Sequence, residues 1–239
     1  MRMGAYPEGP FFSHTTGYSP NKMLEALEHL DVIVDELGPF DGVFGFSQGA
    51  AIALSYIHRQ QEMGRAAPFK FALCFSSVCP CSSDELYCQQ ILRRLSALQW
   101  DDTNPSSADE KSLSPNDHLV KEFLYRVAVP ALKNNGLLPA FDMKVYKSIG
   151  GSDSPRVMHG QLVKEKIRIP TVHISGKRDF AFMRAMSDVA HGLCEERLTR
   201  KVEHGGGHQP PQKHAEIKSV LRAMEWAINQ SEREMVWHL

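Results

Sequence analysis

The sequence predicts an α/β fold with a mainly parallel sheet and helices on both of its faces. Two observations carry this prediction. Short, almost wholly apolar runs alternate with longer segments of helical periodicity, and strands that alternate with helices form parallel sheets buried on both sides. The chain of 239 residues, with 42% hydrophobic and 23% charged residues, also has the size and composition of one globular domain. We therefore expect a single domain over residues 1–239.

The first helix has clear sequence signals at both ends. Ser19 is placed as its N-cap and Pro20 as its first residue, apolar residues recur at helical spacing up to Leu37, and Gly38-Pro39 ends it. The remaining segments alternate: strands are predicted around 41–46, 69–76, 170–175 and 198–203, and helices over 49–59, 179–193 and 212–230.

Residues 82–150 interrupt this alternation. They contain two helical stretches, 85–98 and 118–134, on either side of a polar loop. We interpret the segment as a helical lid insertion over one end of the sheet, with a glycine- and serine-rich exit after residue 150. Its apolar side chains would line a substrate pocket or belong to the core: Leu119, Phe123, Leu124, Val127, Leu132 and Phe141.

Composition excludes several classes of partner. The formal net charge is −1, and no block of five or six like charges occurs, so we expect neither a nucleic-acid nor a membrane partner. No apolar stretch approaches the ~20 residues of a membrane helix, and the first residues lack the apolar core of a signal peptide. The C-terminal Trp237-His238-Leu239 lacks a clear peroxisomal signal. We expect a cytoplasmic protein, with a peroxisomal location left open.

The five cysteines are an odd number, and four of them lie between Cys74 and Cys88. Free thiols are typical of a protein from a reducing compartment. Cys79-Pro80-Cys81 lacks the spacing of a redox or zinc pair. The sequence therefore predicts no metal and no cofactor.

A G-x-S-x-G pattern stands between a predicted strand and a predicted helix, as Gly45-Phe46-Ser47-Gln48-Gly49. In α/β-hydrolases such a turn is so tight that the serine backbone is strained, and flanking glycines relieve the crowding. The turn lifts the serine hydroxyl above the sheet edge at a helix N-terminus. There the backbone N–H of Gln48 can donate to a developing oxyanion. We predict an α/β-hydrolase-like fold with Ser47 as the nucleophile.

A serine nucleophile needs a histidine base, which in α/β-hydrolases comes last in the chain. His208 follows the last predicted strand, in a loop between three glycines and Pro210-Pro211, and we predict it as the base. His204 is the alternative. The glycines between the two histidines make a helical metal-binding pair unfavourable.

The acid of the triad falls between the serine and the histidine in chain order. Asp179 lies in the turn after the strand at 170–175, where it can accept a hydrogen bond from the second imidazole nitrogen. The other interpretation of Asp179 is a cap for the helix behind it. Asp153, in the exit loop, and Asp188, within a predicted helix, are weaker candidates.

Three segments of the sequence resemble one known family. Residues 38–51 (GPFDGVFGFSQGAA), 170–179 and 204–210 (HGGGHQP) resemble the nucleophile turn, acid loop and histidine loop of the fungal serine hydrolases, especially those of the lovastatin-cluster type. The resemblance implies a triad of Ser47, Asp179 and His208. It also implies a small lipophilic acyl ester or thioester as substrate, including a polyketide bound to a carrier protein, in a fungal secondary-metabolite pathway.

Residues 8–13 (EGPFFS) resemble a family segment that normally follows a strand, an H-G-type loop, a helix and a second strand. Those elements are not in this sequence, and that loop normally supplies the second oxyanion donor. Losing one such donor costs about 10²–10³ in kcat. The expectations are an active serine esterase or thioesterase, or a catalytically impaired homologue that acts as a binding or scaffold protein. A serine peptidase is a third alternative, although no extended peptide-binding edge is visible in the sequence.

Overall fold

The computed structural model describes residues 13–97, 113–123 and 154–237. In this part of the chain the sheet has four strands, all parallel, in the order β1-β2-β3-β4: β1 (Gly42–Phe46), β2 (Phe71–Phe75), β3 (Thr171–Gly176) and β4 (Thr199–His204). Within the described residues, six helices accompany these strands: α1 (Pro20–Leu37), α2 (Gln48–Glu62), α3 (Gln89–Ala97), α4 (Pro115–Phe123), α5 (Ala181–Gly192) and α6 (His214–Trp237). The predicted parallel α/β fold is confirmed.

Helices cover both faces of the sheet, and the side chains of β2 alternate between them. Ala72 and Cys74 face a core shared with α1, α2 and α5. Phe71 and Leu73 face the opposite side, where they pack with Val172 and Ile174 of β3 and with the buried stripe of α6: Val220, Ala223 and Ala227. Each large apolar side chain buried in this way stabilises the fold by about 1.5–3 kcal/mol.

The start of α1 differs from the sequence prediction in one detail. Ser19 occupies the N-cap position and Pro20 is the first helical residue, as predicted. The Ser19 side chain makes no capping hydrogen bond. The contact at this end is instead from the Met23 N–H to the Ser19 carbonyl, at 2.9 Å.

A hydrogen-bond network centred on Asp31 joins α1 to α2. One carboxylate oxygen accepts hydrogen bonds from the Tyr56 hydroxyl at 2.7 Å and the Gln60 amide at 2.8 Å. The other lies 3.2 Å from the Arg65 guanidinium. The Tyr56 hydroxyl and then Arg65 lower the pKa of Asp31, while partial burial opposes the shift.

We expect Asp31→Asn to lower the free energy of unfolding by about 1–2 kcal/mol at neutral pH, because the hydrogen bonds from Tyr56 and Gln60 then go to a neutral amide oxygen and the ion pair with Arg65 is lost. The folded-state pKa of Asp31 lies below its unfolded value of about 4. The stabilisation is therefore complete above that pH and disappears as the pH falls through the folded-state pKa. Urea unfolding at several pH values measures this. Asp35→Asn, at an exposed position one turn further along α1, is the matched control, and an equal loss in both variants would contradict the prediction.

Within the predicted lid insertion, the structure describes residues 82–97, which include α3, and residues 113–123, which include α4. Asp117 is 1% exposed, accepts a bidentate hydrogen bond from Arg94 of α3, and accepts from the Ser114 backbone N–H at 2.9 Å. The Asp117 N–H donates back to the Ser114 hydroxyl at 3.2 Å, so α4 begins with a reciprocal cap. Leu119 is half-buried. The side chains of Phe123, Leu124, Val127, Leu132 and Phe141 lie outside the described residues, and the lid stays a prediction.

No helix within the described ranges has the length and apolar character needed to cross a bilayer.

Candidate active site

Ser47 forms the turn between β1 and α2. Its backbone has φ 52° and ψ −113°, a conformation that costs a residue with a side chain about 1–3 kcal/mol. Hydrogen bonds on both sides hold the turn: the Ser47 N–H donates to the Phe75 carbonyl at 2.8 Å, and the Ser47 carbonyl accepts from Ala51 at 3.3 Å and Val78 at 3.4 Å. The serine is therefore fixed at the carboxyl edge of the sheet.

The two glycines of the motif have different roles. A Cβ at Gly45 would lie 2.4 Å from the Cα of Ala50, so only glycine fits there. A Cβ at Gly49 would meet only the His14 ring, at 3.7 Å, which is ordinary van der Waals contact. The prediction that the flanking glycines relieve crowding is confirmed at Gly45, whereas at Gly49 a methyl group would meet no obstacle.

The structure brings Ser47, His208 and Asp179 together from three separate loops. His208 Nε2 lies 3.1 Å from Ser47 Oγ, and His208 Nδ1 lies 2.8 Å from Asp179 Oδ2. A carboxylate can only accept, so the network assigns the proton to Nδ1 and leaves the Nε2 lone pair facing the serine hydroxyl. The Asp179 side chain is 2% exposed and that of His208 is 22% exposed. This arrangement can transfer a proton from the serine hydroxyl to the imidazole.

Asp179 also bonds to the chain in front of α5. Its Oδ1 accepts a hydrogen bond from the Phe180 N–H at 2.8 Å. The interpretation of Asp179 as a local cap and its pairing with His208 are therefore compatible, because the two carboxylate oxygens have different partners.

The rival candidates lie elsewhere. His204 is 2% exposed at the end of β4, and its Nδ1 accepts from the Gly206 N–H at 3.1 Å. Asp188 is 61% exposed on α5 and pairs with Lys201. Asp153 lies outside the described residues.

The acid loop and the histidine loop are bound directly to each other. The Lys177 N–H donates to the His204 carbonyl at 2.8 Å, and the Arg178 N–H donates to the Gly206 carbonyl at 2.9 Å. The Arg178 side chain adds a hydrogen bond to the Gly205 carbonyl at 2.6 Å. These contacts fix the loop that carries His208 relative to the loop that carries Asp179.

Two side chains that hold the histidine loop in place, Arg178 and Glu216, were not predicted from the sequence. Glu216, in the first turn of α6, accepts from the Gly205 N–H at 2.8 Å, and this hydrogen bond lowers the pKa of its carboxyl. Arg178 could have been suspected from its position beside Asp179. Glu216 gave no signal, because its partner is a backbone group that only the folded loop brings near.

Aromatic rings border the site. The Phe46 ring, 42% exposed, lies with its centre 5.1 Å from that of the His208 imidazole. Phe180, beside Asp179 and 40% exposed, stacks on Phe182 at 5.6 Å. The His208 imidazole therefore has an apolar neighbour in the Phe46 ring.

Gln48 is the first residue of α2, so its backbone N–H has no acceptor within the helix. The helix N-terminus also carries partial positive charge. Both features suit the predicted stabilisation of an oxyanion next to Ser47.

The cysteines do not offer a competing nucleophile. All five are free, and all but Cys88 are buried. Burial raises the pKa of the Cys81 and Cys194 thiols to about 12, which keeps them protonated. Across residues 13–97, 113–123 and 154–237, no group of three His, Cys, Asp or Glu side chains is arranged to hold a metal ion.

A serine in a strained strand-to-helix turn on a parallel sheet is the way in which α/β-hydrolases present their nucleophile, and the chain is a serine hydrolase of this class. Residues 9–220 match the family described as "Serine hydrolase (FSH1)". The chain belongs to this family.

Two curated relatives of the chain come from fungi. The chain is 31% identical over 237 residues to "Esterase alnB" of Emericella nidulans, covering 98% of this chain and 83% of that protein. It is 27% identical over 232 residues to "Serine hydrolase cnsH" of Penicillium expansum, covering 94% and 92%. Among solved structures, ClbQ from the colibactin NRPS/PKS pathway aligns over 88% of this chain and 78% of its own, with a TM-score of 0.44 and 20% identity.

Proposed function

We propose that this serine hydrolase cleaves a carboxylic ester or thioester of a small lipophilic acyl substrate. Ser47 acts as the nucleophile, His208 as the base, and Asp179 as the group that orients the base. The observation that carries the proposal is the continuous pair of short contacts from Ser47 Oγ through the imidazole to Asp179, at 3.1 Å and 2.8 Å.

The reaction proceeds in two halves. His208 Nε2 accepts the Ser47 proton as Oγ attacks the acyl carbon, and negative charge forms on the former carbonyl oxygen. The Gln48 N–H donates to this oxyanion. Asp179 stabilises the imidazolium, which then gives its proton to the departing alcohol or thiol. Water, activated by the same imidazole, hydrolyses the acyl-Ser47 ester and restores the free serine.

Three observations support an acyl substrate. The exposed ring of Phe46 offers apolar contact next to the His208 imidazole. The apolar residues of the lid insertion would extend this contact. A relative that is 31% identical is described as an esterase. Within this class we propose the acyl chains of a fungal secondary-metabolite pathway, including a polyketide chain held as a thioester on a carrier protein. The free cysteines suit a reducing compartment, and we propose the cytoplasm.

A substrate panel tests the proposal. Wild type and Ser47→Ala are assayed against p-nitrophenyl esters from acetyl to octanoyl and against the matching N-acetylcysteamine thioesters, with thermal melting of both proteins as the control for folding. We expect turnover by wild type and only background rates from Ser47→Ala. The ratio of ester to thioester rates identifies the preferred leaving group. A folded wild type that hydrolyses none of these substrates would favour the binding or scaffold alternative.

A further inference from the structure

The side chain of Gln48 holds a segment from the N-terminal part of the chain against the nucleophile turn. Its Oε1 accepts a hydrogen bond from the His14 N–H at 3.1 Å and lies 2.9 Å from the Ser13 hydroxyl, whose proton is shared with the Thr15 carbonyl at 2.6 Å. Its Nε2 lies 3.3 Å from the Tyr18 hydroxyl and 3.5 Å from the Thr15 carbonyl. A backbone N–H can only donate and a carbonyl can only accept, so these partners fix the orientation of the amide.

The segment that Gln48 contacts is itself anchored in the fold. Tyr18 is 8% exposed and belongs to the core beneath α1 and α2, and its burial raises the pKa of the phenol to about 12. Thr15 is 6% exposed, and its hydroxyl donates to the Gly17 carbonyl at 2.6 Å. The residues that Gln48 contacts are therefore themselves held in place by burial and hydrogen bonds.

The contact between the Gln48 side chain and residues 13–18 adds a further restraint to the strained turn at Ser47. The backbone of Ser47 is bonded to the Phe75 carbonyl and to the Val78 N–H, both of which follow the turn in the sequence. The Gln48 side chain is the restraint that reaches back to residues 13–18. A strained backbone conformation persists only where several surrounding contacts hold it in place.

We infer that Gln48 is a positioning residue through its side chain, as well as the oxyanion donor through its backbone. By bonding residues 13–18, the amide holds the Gln48 N–H in the direction from which it meets the oxyanion. This inference rests on the proposed function, since it concerns the same reaction. It adds that the nucleophile turn depends on a segment more than thirty residues earlier in the chain.

The test replaces the amide with a side chain of similar length that cannot form these hydrogen bonds, in Gln48→Met. The same helix supplies a matched control. Gln61, at the other end of α2, also binds a segment that is distant in the sequence. Its amide donates to the Lys166 carbonyl at 2.9 Å and accepts from the Arg168 N–H at 3.1 Å. We expect Gln48→Met to lower kcat about tenfold with little change in KM, a smaller loss than the complete removal of an oxyanion donor. Gln61→Met should leave kcat unchanged.

A purely structural role would lower the melting temperature of both variants alike and would not separate their kcat values. Equal kcat in Gln48→Met and wild type, or an equal loss in the two variants, would overturn the inference. Hydrogen–deuterium exchange supplies a readout that needs no turnover: the peptide covering residues 13–18 should exchange faster in Gln48→Met and unchanged in Gln61→Met. Unchanged exchange in Gln48→Met would overturn the inference even in an active enzyme. Faster exchange together with an inactive wild type would place the failure in the proposed function.

Discussion

His208→Ala is expected to lower kcat on a short ester by about 10⁴–10⁶-fold. A serine hydroxyl attacks an acyl carbon only when a neutral imidazole can take its proton, and His208 Nε2 is the acceptor, 3.1 Å from Ser47 Oγ. The two residues act as a unit. The double variant with Ser47→Ala should therefore be no slower than either single variant.

Two other histidine variants make this measurement specific. His214→Ala removes an exposed imidazole at the start of α6 and should leave kcat unchanged. His204→Ala removes the buried rival and should lower the melting temperature while the folded fraction keeps its turnover. A folded His208→Ala variant with nearly wild-type kcat, or a collapse of kcat in folded His204→Ala, would contradict the assignment.

Gly176→Ala is expected to lower kcat about 10²-fold and the free energy of unfolding by about 1–3 kcal/mol, although the residue touches no substrate. The new Cβ would lie 2.2 Å from the Gly207 carbonyl oxygen and 2.6 Å from that of Gly206. Both obstacles are backbone, so the acid and histidine loops must move apart. Asp179 and His208 lie on opposite sides of this contact and would separate with the loops.

Gly207→Ala is the matched control for Gly176→Ala. It adds the same methyl group on the other side of the contact, where the nearest atom is the Arg178 carbonyl oxygen at an ordinary 3.6 Å. Steady-state kinetics and urea unfolding of the two variants decide the question. Similar kcat values in both would show that the close approach at Gly176 does not set the geometry of the site.

The fold was predictable because its signals are local. Each signal depends on residues that are neighbours in the sequence: the short apolar runs, the start of α1 at Ser19-Pro20 and the strand-to-helix turn at Ser47. The parallel sheet follows from the alternation of predicted strands with predicted helices. Boundaries were less exact: α2 continues to Glu62 and α6 to Trp237, beyond the apolar stripes that predicted them. Exposed polar residues extend a helix without changing its periodicity, so the pattern does not show where it ends.

The catalytic candidates were predictable because each is recognised from its residue type and its position after a predicted strand. Ser47 was identified from the two glycines around it. His208 was identified because it follows the last predicted strand, and Asp179 because it follows the preceding strand. They lie within hydrogen-bonding distance, and their catalytic roles stay predictions. The supports of the site were not predictable. Gln48 bonds to Tyr18 and Glu216 bonds to the Gly205 backbone, and such contacts exist only once distant segments have folded together.

The most direct test of the central claim is covalent. The purified protein is treated with a fluorophosphonate, and the adduct is located by mass spectrometry in wild type, Ser47→Ala and His208→Ala. Because phosphonylation requires an activated serine and an oxyanion donor, we expect a single adduct on Ser47 that is lost in both variants. An adduct on another residue, or no adduct on the folded wild-type protein, would contradict the assignment of Ser47 as the nucleophile of this hydrolase.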